Sequence, residues 1–157
     1  MRVLLFATIA AGLLASRSAE SNPKTFLTEA IEGDNSEIQL GAAAAQRGGP
    51  AVQSFGRMLV GDHSKARQAA VVVAAGYGLN PTDKLSDEAA KERDKLEKLE
   101  GSAFDAEFAQ YMIKDHQQNI AKFEKEAQSS APANVRTLAT QTLPELRKHL
   151  ALAEQLR

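Results

Sequence analysis

Breakers placed at wide intervals constrain what this chain can fold into. Gly48-Gly49-Pro50, the run from Gly76 to Pro81, and Ser129-Ser130-Ala131-Pro132 are dense turn signals. The stretches between them are long, rich in alanine and apolar at helical spacing. Asn22-Pro23 supplies an N-cap and a proline at the first helical position, so a helix is expected from there to about Gln46. A second is expected from about Ala51 to Ala75, with Val52, Phe55, Leu59, Ala66 and Val73 on its buried side. Ser102 and Asp105 form a capping pattern for a third, to about Gln128, buried along Phe104, Phe108, Met112, Ile120 and Phe123. A fourth carries Val135, Leu138, Thr142, Leu146, Leu150 and Ala153, with Pro144 expected to bend it.

Between the second and third long helices lies a charged segment, Asp83 to Glu100. Ser86 opens a short helix there, read as a surface crossover. No segment alternates apolar and polar residues between turn signals, so no sheet is expected. The fold expected is therefore all-α: a ferritin-like four-helix bundle with a long second-to-third helix crossover containing a short helix.

The N-terminus reads differently. Met1-Arg2 is followed by an apolar run from Val3 to Ala15 and by small residues Ser16 and Ser18. The run is short of the roughly 20 residues a membrane span needs and suits a signal peptide, residues 1–18. That leaves residues 19–157 as a single four-helix domain, periplasmic or secreted, with no membrane contact after signal cleavage. The alternative is a buried or anchoring first helix. Cysteine is absent, which excludes disulfides, thiolate ligands, Fe–S clusters and a lipid-anchored N-terminal cysteine. Lys+Arg and Asp+Glu number 19 and 20, so no net field draws the chain to nucleic acid.

Chemistry concentrates in three residues. The only histidines are His63, His116 and His149, one on each of the last three long helices, the first two as Asp-His pairs. At about 1.5 Å rise per residue, each lies roughly 20 Å from its helix start, as does Glu37 on the first helix. All four therefore share one level of a bundle. Each Asp-His pair straddles its apolar stripe, one residue on either flank, so both members can turn inward. Glu37 shares a face with Asp34, a competing choice on geometry alone. Three neutral imidazoles and a carboxylate suit Zn²⁺, or Cu or Fe with open positions. Asp62 and Asp115 are candidates for extra ligands or for acceptors that fix a histidine tautomer. Met58 and Met112 adjoin the histidines but fit core packing better. Glu145 shares a face with His149, though solvent is its expected neighbour. No nucleophile elbow or phosphate loop is present.

Taken in order, Glu37-Ile38, Met58-x-x-x-Asp62-His63, the Phe104-Asp105 helix start, Asp115-His116, and Leu143-Pro144 with His149 resemble a family. It is a bacterial family of exported ferritin-like proteins, catalogued as domain of unknown function "four-one-four-two". The likeness covers about residues 23 to 155. It implies a ferritin-like bundle, an exported setting, and a site at Glu37, His63, His116 and His149. It implies no activity. The Glu-x-x-His motif of di-iron ferritin-like proteins is missing at all three histidines, which favours a histidine-rich mononuclear site. The rival class is a non-catalytic structural or stress-response bundle with a metal-free polar network. An oligomeric cage or adhesion module is a third.

Overall fold

The computed structural model describes residues 21–157; the segment read as an export signal, residues 1–18, lies outside them. Every regular element among the described residues is a helix: α1 (Pro23–Arg47), α2 (Pro50–Ala75), α3 (Asp87–Leu96), α4 (Gly101–Ala127) and α5 (Ala133–Glu154). Four are long and α3 is short. None of the described helices is long and apolar enough to cross a membrane.

The breaker residues act as expected at most boundaries. Asn22 Oδ1 accepts a hydrogen bond from the Thr25 amide at 3.3 Å, with Pro23 beginning α1. Ser86 Oγ accepts from the Ala89 amide at 3.1 Å and starts α3. The start of α4 differs. Its N-cap is Glu100, which makes no side-chain cap bond, and Gly101 has φ 56°, a value glycine reaches without a Cβ clash. Asp105 is used elsewhere: both its oxygens accept from the Gly49 amide, at 3.0 and 3.1 Å. A carboxylate from α4 thus binds the N-cap amide of α2, where the helix dipole favours negative charge. Pro144 lies inside α5, which is helical on both sides of it.

Two apolar cores fill the bundle, one toward each end. The first gathers Phe26 and Ile31 of α1, Ala74 of α2, Phe123 of α4 and Leu138 of α5. The second gathers Leu40, Phe55, Leu59, Phe104, Phe108 and Ala153. Helix α1 therefore runs from the first core to the second and α2 returns. Helix α4 runs the same way as α2, and α5 the same way as α1. Parallel helices cannot be joined by a tight turn, so the connection from 76 to 100 must travel the length of the bundle. It is not merely a surface strap, as its charge had implied. Leu85, Ala89 and Leu96 are buried in the second core. Polar groups pin it as well: Asn35 Nδ2 donates to the Thr82 and Lys84 carbonyls, and Arg67 Nε donates to Asn35 Oδ1 at 2.6 Å.

The first two helices touch closely at one point. A Cβ placed on Gly56 would lie 2.5 Å from the Gly41 carbonyl, and one on Gly41 would lie 2.9 Å from the Gly56 carbonyl. Backbone meets backbone there, which sets the spacing of α1 and α2 about one turn from Glu37 and two from His63. Between the two apolar cores lies a polar layer, and that layer holds the candidate site.

Candidate metal centre

Each long helix places one or more ionisable groups in this layer. Helix α1 contributes Asp34 and Glu37, α2 Asp62 and His63, α4 Asp115 and His116, and α5 Glu145 and His149. The three imidazoles meet. Their ring centroids are 6.0, 5.2 and 5.4 Å apart, and one nitrogen of each lies within 4.8 Å of the others. Three points so spaced lie within about 2.8 Å of a shared centre, against the ~2.0–2.1 Å of a Zn–N bond, so small ring movements would close the set. His116 and His149 are fully buried and His63 is 5% exposed. The Phe55 ring stands edge-on to His149 with centroids 6.1 Å apart, as an apolar wall on that side.

The outer nitrogen of every ring is held by an acceptor. His116 Nδ1–H donates to the Met112 carbonyl at 2.9 Å. A carbonyl can only accept, so the neutral ring carries its lone pair on Nε2. Burial, reinforced by the charge of His63, pushes this imidazole down to about 3, so it is neutral over the ordinary pH range. His63 Nδ1 lies 2.9 Å from Asp34 Oδ1; with Asp34 ionised, Nδ1–H donates and the lone pair is again on Nε2. Burial raises the Asp34 pKa, and the His63 hydrogen bond partly offsets the rise. His149 Nε2–H donates to Asp62 Oδ2 at 3.2 Å and lies 3.3 Å from Glu145 Oε1, leaving Nδ1 free. Burial is the main cause lowering its pKa.

Acceptors behind metal-binding histidines fix the tautomer and raise ring basicity. Here three different acceptors do so for three rings. The inner nitrogens, His63 Nε2, His116 Nε2 and His149 Nδ1, have no hydrogen-bond partner, and neither does either oxygen of Glu37. Those five atoms are most of the seven such buried side-chain atoms among the described residues. An unpaired buried polar atom costs about 1–3 kcal/mol, so a folded protein rarely gathers five of them without a ligand for them to share.

Glu37 sits beside the triad rather than inside it. Its Oε1 is 3.8 Å from His116 Nδ1, and its close group is Asp115 and His116. It is 3% exposed. Burial, then the negative charge of Asp115, pushes its pKa well above the usual carboxylate range. Burial raises Asp115 also. On the opposite side Asp62, Glu145 and His149 form another close group. Partial burial would raise Asp62, but hydrogen bonding with Glu145 and His149 and the charge of Lys148 outweigh it and hold that carboxylate well below its usual range.

Sequence reasoning thus named the residues, and the structure distributes them. Asp34, the competitor to Glu37 on geometry alone, is the one of the two that hydrogen-bonds a histidine. Asp62 orients His149, while Asp115 approaches Glu37. Glu145 is 42% exposed at its side chain yet reaches His149, which the i, i+4 spacing alone had not decided. The Met112 carbonyl carried no signal, because every helix residue has one.

A family model described as a domain of unknown function (DUF4142) matches residues 10–156. No curated protein and no solved structure matches the chain.

Proposed function

The chain belongs to this family of unknown function, and from its own geometry we propose that it is an exported, ferritin-like bundle that binds one transition-metal ion. His63 Nε2, His116 Nε2 and His149 Nδ1 are the ligands. Glu37 is the adjoining carboxylate, beside His116. The observation carrying this reading is the convergence of three buried imidazoles, each with its outer nitrogen engaged and its inner nitrogen free. A nitrogen-rich set without thiolates suits Zn²⁺, Cu²⁺ or Fe²⁺ rather than Mg²⁺ or Ca²⁺. Three protein nitrogens leave a further position for a carboxylate or a small ligand, which fits metal handling in an extracytoplasmic compartment.

The test is uptake by protein purified without a histidine tag and stripped by chelator. One equivalent should bind, and the melting temperature should rise, because a ligand at 1,000 times its Kd adds about 4 kcal/mol to the folded state. His116→Leu should bind more than about 100-fold more weakly. No stoichiometric uptake, with a melting temperature indifferent to metal and chelator, would leave the three histidines as a metal-free polar network.

A further inference from the structure

A closed bundle must admit its ion somewhere, and the two sides of the polar layer are built differently. Between α1 and α4 runs an open groove of about 430 Å³, floored by Gly33, Asp115 and Asn119 and closed at one end by the start of α3. Five carboxylates and two lysines line it: Glu29, Glu32, Asp87, Glu88 and Asp115 against Lys84 and Lys122. Lys122 pairs with Glu29 at 2.8 Å, and Lys84 lies 3.6 Å from Glu32 and 3.7 Å from Asp87. Asp115 accepts from Asn119 Nδ2 at 2.7 Å and has no ammonium partner.

The groove continues inward. A narrow cleft of about 20 Å³, room for roughly one water-sized species, shares Glu29, Gly33, Asn119 and Lys122 with it and is also lined by Glu37 and His63. One Asp115 oxygen also lies within 4.8 Å of a ligand-type atom of both Glu37 and His116. Glu37, buried and with both oxygens unpartnered, is the inner end of both paths. Gly33 keeps the passage clear, since a Cβ there would touch nothing within 4 Å. The opposite side is already occupied by a cation of the protein itself. Lys148 Nζ lies 2.6 Å from Glu145 Oε1 and 3.4 Å from Asp62 Oδ2, across the outer face of His149.

We propose that the α1–α4 groove is a capture site for hydrated divalent cations, with Asp115 at its throat handing the ion to Glu37 and on to the histidines. This rests on the metal-binding reading above. Carboxylates suit a hydrated cation, and imidazoles suit the dehydrated transition metal that follows. Negative potential focused in a cleft raises association rates, and salt screens the effect.

Loading kinetics with Co²⁺ or Zn²⁺ test it, read by stopped flow on full-length, metal-free protein. Asp115→Asn should slow loading about ten-fold at low salt, with much less effect at high salt. Gly33→Leu should slow both uptake and release while equilibrium affinity stays near wild type. Gly61→Leu, the same change at another helical glycine with no neighbour within 4 Å, should load at the wild-type rate. Lys122→Gln should load faster. Wild-type rates in both Asp115→Asn and Gly33→Leu, or slowing confined to Glu145 and Lys148 variants, overturn the groove while leaving the site intact. Protein that takes up no metal at all overturns both.

Discussion

The polar layer has two flanks made from the same parts, two carboxylates and a histidine, and they behave in opposite ways. On the α2–α5 flank, Asp62 and Glu145 are partly exposed and share the Lys148 ammonium. Asp62 is held low and His149 is oriented. That flank neutralises itself. On the α1–α4 flank, Glu37 and Asp115 lie deeper with no ammonium in ion-pair contact, the nearby Lys122 being paired with Glu29. Both are pushed up, Glu37 strongly. Buried like charges are costly unless a cation or proton is shared. The contrast teaches that ligand-type residues alone do not mark a cation site. What marks one is a set of such residues left without a built-in counter-charge.

The largest effect is expected at the centre common to both flanks. His116→Leu should lower metal affinity more than about 100-fold, since a direct ligand is lost as well as its supporting shell. Isothermal titration checks it. Next, Glu37→Gln should weaken binding by about 10–100-fold and Asp62→Asn by no more than about ten-fold. The same pair differs in sign without metal. Glu37→Gln should raise the melting temperature of the apo-protein by removing a buried acid. Asp62→Asn should lower it slightly, an exposed pair being worth about 0–1 kcal/mol. Equal responses on both flanks would erase the distinction.

Gly56→Ala acts on the spacing that holds α1 beside α2. Its Cβ would meet backbone, which cannot fold aside, so a loss of about 1–3 kcal/mol is expected in denaturant unfolding. Weaker metal binding should accompany it, because Glu37 and His63 would move apart.

The remaining effects are in pH. His116 is depressed to about 3 from 6.5, so the unfolded chain binds the extra proton. Its contribution to stability is whole above about 6.5 and is lost as pH falls toward 3. Glu37 has the opposite sign. Raised from 4.5, its contribution is present below that value and is lost as pH climbs through the folded pKa. Asp62, lowered from 3.8, matters only below that value. Melting temperatures of metal-free wild type, His116→Asn and Glu37→Gln across the acid range separate these terms by difference.

Much of this was legible before the structure. Gly48-Gly49-Pro50 and Ser129 to Pro132 mark helix ends because their backbone cannot continue a helix, and that information is local. Depth was legible too, since rise per residue is fixed, and it brought His63, His116 and His149 to one level. Rotation was harder. Asp34 and Glu37 are three positions apart on one helix, so periodicity puts both near the same face without saying which meets His63. Asp105 looked like a cap for its own helix, yet it binds Gly49 on another. Choosing between those partners depends on how helices sit against each other. The burial of Leu85, Ala89 and Leu96 was masked by the charges around them, because α3 covers a core end with one side only.

The central claim is that three imidazoles share one metal ion. X-ray absorption at the metal edge, on stoichiometrically loaded protein, counts them directly. The geometry predicts three imidazole scatterers at about 2.0–2.1 Å, reduced to two in His149→Leu. A first shell of oxygens alone, unchanged by replacing any histidine, would contradict it.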